Sequence, residues 1–317
     1  MVGCVKNIPN IPKIVRGGMP VFVFGGKMAK FALECACCNC GRATNKNISM
    51  LLSNFLATFG RYCIFLRRVF ALPDRWRETF RRTFAEIMKL GVDSIPLVLI
   101  ISVFIGAVIT IQMQLNISSP LIPAYSVGLA TRDIVLLEFS NSILCLILAG
   151  KVGSNIASEI GTMRVTEQID ALDIMGINSA NFLVLPKIAG LVLFMPVLVI
   201  FCIATSYIGG YGVAVMTDLI PVSKYLYGLQ ALFNEWYVWY GLIKSLFFAF
   251  IIASTSSFYG YYAHGGALEV GKASTDGVVS SSVFILLFDV VLTKLLLQWL
   301  KSKILANRST GALCSTM

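Results

Sequence analysis

The sequence predicts an all-α integral membrane protein with about five transmembrane helices. Hydrophobic residues make up 57% of its 317 residues and charged residues only 13%, whereas soluble domains carry about 25% charged residues. The apolar runs are continuous and long enough to cross a bilayer as helices. They lack the alternating pattern of the strands in a membrane barrel. These observations together favour a helical bundle in a membrane.

The positive charge of the chain is confined to its N-terminal part. Residues 1–89 contain 15 Lys and Arg against 4 Asp and Glu, while residues 90–317 contain 11 against 12. Basic residues beside a first span mark the cytosolic side, so we expect a cytosolic N-terminus. A membrane surface explains this local charge, and we expect no nucleic acid as a partner.

The first 49 residues are predicted to be a poorly structured extension. Their apolar stretch at 21–24 is far shorter than a span. The cysteines between Cys35 and Cys40 are too closely spaced for the paired ligands of a zinc site, and no histidine lies near them. We therefore expect no metal.

Residues 50–90 are predicted to form a basic helical segment in the membrane interface. Arginines are interleaved here with bulky apolar side chains, a pattern typical of helices whose cations meet anionic lipid headgroups. An ordinary juxtamembrane anchor without lipid recognition explains the same pattern equally well.

The membrane domain is predicted over residues 91–300 and is followed by a C-terminal tail, 301–317. Its five apolar runs place spans at about 95–114, 133–152, 188–217, 242–262 and 278–300. Residues 94–131 carry no charge, so a broken or re-entrant hairpin is an alternative to a single first span.

Among the charged residues inside the predicted spans, three are candidate intramembrane polar sites: Glu138, Asp289 and Lys294. A charge at the bilayer centre costs about 2.5–3.5 kcal/mol, so each residue is a candidate for function. A proton relay through Glu138 and Asp289 is one hypothesis. We favour structural carboxylates, with a partner on another helix for Asp289 and with Arg132 as a nearby candidate partner for Glu138.

Small residues follow the second span at a spacing that allows close contact between helices. The predicted packing residues are Gly150, Ser154, Ser158 and Gly161. They lead directly into a polar stretch that separates two long apolar runs.

That polar stretch has the pattern of an amphipathic helix. Val165, Ile169 and Leu172 fall on one helical face. The acidic residues of the opposite face are Glu167, Asp170 and Asp173. A short amphipathic helix held between two spans is suited to meet a soluble partner, so we interpret this helix as a docking surface.

The sequence around this helix resembles the MlaE family, the permease subunits of MCE-type lipid ABC transporters. The resemblance rests on Ala149–Ser154 and Glu159–Leu172 and continues through Met175–Gly176, Pro186, Pro196, Ile243–Ser245, Gly271–Ser274 and Asp289–Thr293. It covers about residues 88–300.

The resemblance implies a five-span permease that works as a homodimer in the inner (cytoplasmic) membrane of a bacterium. It also implies that phospholipid is bound between the copies, beneath an MCE-domain protein, and is moved between membranes of the cell envelope. A separate ATPase subunit would hold ATP and Mg²⁺, so this chain would be neither an enzyme nor a binder of cofactors. By the same resemblance the coupling helix to that ATPase includes Glu167, Gln168, Asp170, Ala171, Leu172, Asp173 and Gly176.

Two other function classes stay open at this point. An ion-coupled secondary transporter would use Glu138 and Asp289, although the chain shows no inverted internal repeat. A membrane-embedded lipid enzyme would need a catalytic group of side chains, and the only histidine, His264, has no evident partner.

Overall fold

The structure, a computed structural model, describes residues 57–71, 76–117, 123, 125–217, 220–231, 233 and 235–314. Every regular element in these ranges is helical. The helices are α1 (57–69), α2 (Arg77–Asn116), α3 (Tyr125–Val165), α4 (Gln168–Ile174), α5 (Ser179–Thr217), α6 (Val222–Gln230), α7 (Glu235–Tyr261) and α8 (Ala267–Cys314). The chain divides into residues 1–58 and 59–317. The description below concerns the second unit, and the predicted extension with its cysteines lies outside the described residues.

Five helices are long and apolar enough to cross a membrane: α2, α3, α5, α7 and the part of α8 that ends at Leu296. The predicted all-helical class with five spans is confirmed for the described part of the chain. The helices are longer than the predicted spans, because hydropathy marks only the turns inside the bilayer. With 39 residues, α5 is about 58 Å long at 1.5 Å per residue, and the hydrocarbon core is only about 30 Å thick.

The first membrane crossing is a single helix. Ile95–Asn116 is continuous and has Pro96 in its first turn, where proline is tolerated because that N–H has no intrahelical partner. The alternative of a hairpin within residues 94–131 is therefore wrong for Ile95–Asn116. At the other end of the chain, α8 continues to Cys314, so most of the segment predicted as a tail is helical.

Three π turns interrupt the membrane helices. One in α2 (Ile87–Gly91) is followed by a 3₁₀ turn, and α3 contains two more, Val135–Phe139 and Ala149–Gly153. Single π turns bend a helix and often occur at functional positions. Each of these turns carries a charged residue that contacts another helix: Lys89, Glu138 and Lys151 respectively.

The backbones of α2 and α5 touch where they cross. A Cβ atom on Gly106 would lie 1.9 Å from the carbonyl oxygen of Ser206, and one on Gly209 would lie 2.2 Å from that of Val103. No larger residue fits at either position without moving the helices apart. Membrane helices associate through close packing of this kind, because lipid provides no hydrophobic force between them.

Helix α1 packs against the end of the bundle where α5 begins and α7 ends. Phe65 and Val69 are fully buried, and the Phe65 ring lies 5.3 Å from the ring of Tyr261. The Asn181 side-chain amide donates to the carbonyl oxygens of Val69 at 2.7 Å and Ala71 at 2.6 Å. These bonds satisfy carbonyl groups that a helix end leaves unpaired. Arg61, Arg67 and Arg68 of the same helix are exposed.

Candidate functional site

Helix α4 is separated from the end of α3 by a sharp turn at Glu167. This residue has φ +59°, a left-handed conformation that is uncommon for a residue other than glycine. The Glu167 N–H donates to the carbonyl of Arg164 at 3.2 Å, and the Glu167 carbonyl accepts from Ala171 at 3.0 Å. The chain therefore leaves one helix and enters the next within two residues.

The end of α4 is equally well defined. Gly176 has φ +75°, its N–H donates to the carbonyl of Asp173 at 3.0 Å, and the Ile177 N–H donates to that of Leu172 at 3.1 Å. This pair of bonds is the Schellman arrangement, in which a left-handed glycine terminates a helix. The seven-residue helix is thus bounded by a backbone reversal at each end.

One face of α4 is buried and the other is exposed, as its periodicity predicted. Ile169 is fully buried and Leu172 is half-buried against the bundle. The exposed residues among those assigned to coupling are Glu167, Gln168, Asp170, Ala171, Asp173 and Gly176. The helix therefore presents a surface with three carboxylates.

Two apolar residues at the tip of α4 were not predicted as part of the site. Ile174 is 87% exposed and Met175 is 64% exposed, although both are large and apolar. Their position off the Ile169 face was a usable signal, since an amphipathic helix that only packs on its own chain keeps such residues inward. We call Glu167–Gly176 the α4 surface.

Intramolecular contacts hold two of the three acids in place. Asp170 forms a 2.5 Å ion pair with Arg164, and the Asp173 carboxylate accepts from the N–H of Ser179 at 3.4 Å. A cleft of about 440 Å³ lies beside Asp173. Its lining residues are Arg68, Asp173, Gly176, Ile177, Asn178, Ser179 and Tyr261. Arg68 thus brings α1 to the edge of the α4 surface.

Part of the predicted small-residue row lies at the contact of α3 with α8. A Cβ atom on Gly161 would lie 3.0 Å from a methyl carbon of Val270, and the Ser154 carbonyl accepts from Ser274 at 3.1 Å. Ser158 is half-buried. Gly150 is exposed, and a Cβ atom there would meet nothing within 4 Å.

The close contact near Gly150 is made by Gly153 instead. A Cβ atom on Gly153 would lie 2.8 Å from the Ser256 hydroxyl, and one on Gly260 would lie 2.7 Å from the carbonyl of Ala157. Gly153, Ala157 and Gly161 follow one another every four residues. The sequence contained this row too, but its pattern does not say which row faces a neighbouring helix.

Glu138 and Asp289 meet at one buried lysine. Lys244 of α7 is fully buried, and its ammonium lies 3.0 Å from the Glu138 carboxylate and 2.5 Å from that of Asp289. It also lies 3.0 Å from the Thr293 hydroxyl and 3.3 Å from that of Tyr240. We call these five residues the Lys244 cluster. It joins α3, α7 and α8, as expected for a partner of Asp289 on another helix.

Two polar residues considered with this site lie elsewhere. Arg132, the candidate partner of Glu138, forms a 2.8 Å ion pair with Asp133 instead and donates to the Leu229 carbonyl at 3.3 Å. Lys294 is exposed on α8. Lys244 itself was not predicted as a site residue, although a lysine inside an apolar run was a visible signal.

Comparison with known proteins gives a consistent result. A family model described as Permease MlaE matches residues 83–295, from α2 into α8. A probable ABC transporter permease protein of Rickettsia bellii is 34% identical over 242 residues, which are 75% of this chain and 92% of that protein. A probable ABC transporter permease protein of a Synechocystis species is 29% identical over 257 residues, 81% of this chain and 96% of that protein.

A plant protein is similar over much of the same range. The Arabidopsis thaliana protein TRIGALACTOSYLDIACYLGLYCEROL 1, chloroplastic, is 30% identical over 222 residues. These residues are 69% of this chain and 62% of the plant protein. The similarities thus extend across the membrane domain and include α4.

Proposed function

The chain belongs to the MlaE family of permeases, and from that premise we propose that it moves phospholipids between membranes of the cell envelope as the membrane subunit of an ABC transporter. A separate ATPase subunit supplies the energy by hydrolysing ATP with Mg²⁺. The permease works as a homodimer in the bacterial inner membrane, with a cytosolic N-terminus, and delivers or receives lipid through an MCE-domain protein.

A lipid substrate is supported by two observations. The plant relative carries the name of a galactolipid, trigalactosyldiacylglycerol. The sequence also resembles permeases of lipid transporters over the whole membrane domain. A phospholipid is the form of this substrate that the resemblance implies.

The α4 surface is the single observation that carries the proposed coupling to an ATPase. It connects two spans, α3 and α5, and is bounded by a hydrogen-bonded backbone reversal at each end. Its exposed carboxylates complement basic residues of a soluble partner, and Ile174 and Met175 supply an apolar anchor of the kind that dominates protein interfaces. When the ATPase closes on ATP, it pushes α4 and thereby moves both spans.

Charge reversal at Glu167 tests this function. We expect Glu167→Lys to reduce ATP-driven lipid transport in proteoliposomes to background and to weaken co-purification of the ATPase, because the variant places a cation on an acidic docking face. Lysine tolerates the left-handed backbone no worse than glutamate does, so the protein should still insert in the membrane.

Glu269→Lys provides the matched control, since Glu269 is an exposed acid at the start of α8. Its transport and co-purification should match those of the unaltered protein. Normal transport by Glu167→Lys, together with normal co-purification, would contradict coupling through α4.

The ion-coupled alternative has less support. Lys244 lies within ion-pair distance of both Glu138 and Asp289 and provides a counter-charge for them within the chain. A carboxylate relay would need these groups to exchange protons freely. Lipid transport driven by a proton gradient, in vesicles without any ATPase, would favour this alternative.

A further inference from the structure

A second buried lysine lies in the part of α5 that follows α4. Lys187 of α5 is only 2% exposed, and its ammonium lies 2.8 Å from the carboxylate of Glu86 and 2.8 Å from that of Glu159. The second oxygen of Glu159 lies 3.0 Å from the ammonium of Lys89. We call these four residues the Lys187 network. Its two acids and two bases balance in charge.

The network lies where α2 changes its helical geometry. Glu86 is the last residue before the π turn Ile87–Gly91, and Lys89 lies within that turn. A 3₁₀ turn follows before the membrane part of α2 begins. We call these two consecutive turns the α2 joint. A joint of this kind can bend, because its hydrogen bonds differ from those of a regular helix.

The other two members of the network lie on the helices that carry α4. Glu159 is on α3, shortly before the α4 surface, and Lys187 is on α5, shortly after it. The Lys187 ammonium therefore links α3 and α5, the helices on either side of α4, to Glu86 beside the α2 joint.

Two further contacts connect α2 with α3 and α5 beside the Lys187 network. The Lys151 ammonium, from a π turn of α3, donates to the carbonyl of Asp93 in the α2 joint. A Cβ atom on Gly190 of α5 would lie 3.3 Å from the Cβ of Glu86, so the two helices are in close contact beside the network. The joint is thus tied to α3 at two points and packed against α5.

A buried ion network is a poor way to gain stability, because apolar residues of similar size often stabilise as well or better. It can fix one relative position of three helices, since the buried Lys187 ammonium meets both carboxylates only in that arrangement. The network therefore suits a role in which α2, α3 and α5 must move together.

We propose that Lys187 is a positioning residue that locks the α2 joint to α3 and α5, so that displacement of α4 is passed to the first span. This inference rests on the proposed function, because it assumes that an ATPase moves α4. Without the network, α4 still meets the ATPase, but less of its movement reaches the α2 joint.

The test uses the full chain, co-purified with its ATPase and reconstituted in phospholipid vesicles. We expect Lys187→Met to lower ATP-driven lipid transport about tenfold, within the usual range of coupling between sites. ATP hydrolysis and co-purification should change by less than about twofold, because the α4 surface is intact. Lys187→Arg should restore most of the transport, since it keeps the charge.

A second variant guards against misfolding of the first. Glu86→Gln removes only the ion pair between Lys187 and α2 and leaves Glu159 with both of its lysines. We expect the same loss of transport with normal hydrolysis. The matched control is Glu269→Gln, which breaks the exposed ion pair with Lys272 and should change neither quantity.

Transport by Lys187→Met and Glu86→Gln at the rate of the unaltered complex would overturn the inference and leave the proposed function standing. Equal losses of transport, hydrolysis and co-purification would also overturn it, since they indicate general structural damage. If the unaltered complex transports no lipid with ATP, the proposed function itself fails.

Discussion

Lys187 and Lys244 are both almost completely buried, and each lies between two carboxylates from other helices. The surroundings of the two lysines differ. In the Lys187 network a second base, Lys89, balances the acids, whereas the Lys244 cluster has two acids and one base. The excess acid lies on the accessible side of the cluster, because Glu138 is 40% exposed and Asp289 only 17%.

This difference separates two uses of buried charge. The balanced Lys187 network links α2, α3 and α5 near α4, the proposed contact with the ATPase. The unbalanced Lys244 cluster depends entirely on one lysine. Removing that lysine should therefore do more damage than removing any other residue of either group.

The largest effect is expected for Lys244→Met. This variant leaves two carboxylates facing each other without a counter-charge, and the loss of one partner of a buried ion pair costs about 3–5 kcal/mol. Lys187→Met should cost less, because Glu159 keeps its contact with Lys89. Thermal unfolding of the detergent-solubilised protein measures the difference, and equal midpoints for the two variants would refute the comparison.

Substitution of Gly153 should come next and should affect the two groups unequally. A leucine at this position collides with Ser256 and forces α3 away from α7, an overpacking that costs about 1–3 kcal/mol. The Lys244 cluster spans these two helices and should be disturbed more than the Lys187 network, which spans α2, α3 and α5.

Gly150→Leu is the control for this experiment, because a side chain at position 150 meets open space within the chain. Stability of both variants can be compared by unfolding in detergent. If Gly150→Leu destabilises as much as Gly153→Leu, then a contact outside this chain, such as a second copy, occupies that space.

The smallest effect is expected at Glu138, the more exposed of the two acids of the Lys244 cluster. We expect Asp289→Asn to destabilise by about 1–3 kcal/mol, as for a buried group that loses a charged partner. Glu138→Gln should cost less than about 1 kcal/mol, because exposure weakens its ion pair. The same unfolding assay ranks the two, and the reverse order would show that exposure does not control these pairs.

Much of the α4 surface could be predicted from local pattern. The alternation of Ile169 and Leu172 with acidic residues indicates which face is buried, and Gly176 is the residue type that ends a helix in a left-handed turn. The exposed tip at Ile174 and Met175 was missed, because apolar character alone does not show whether a residue packs on its own chain or is exposed for binding a partner.

The helix contacts were harder to predict. Gly150 and Gly153 both belong to plausible small-residue rows, and only the orientation of α3 against α7 decides which row is packed. The α2 joint was also hard to predict, since no residue type between Ile87 and Ser94 indicates a π turn. The joint lies where α2 packs on α5, a contact that no local pattern indicates.

The sequence by itself determined the membrane class, the five spans and the two-faced character of α4, because hydropathy and helical periodicity are local properties of the chain. The tertiary structure alone decided which charges neutralise one another. Lys244 and Glu138 are 106 positions apart, and Lys187 and Glu86 are 101 apart. An ion pair depends on distance in space, and folding sets that distance.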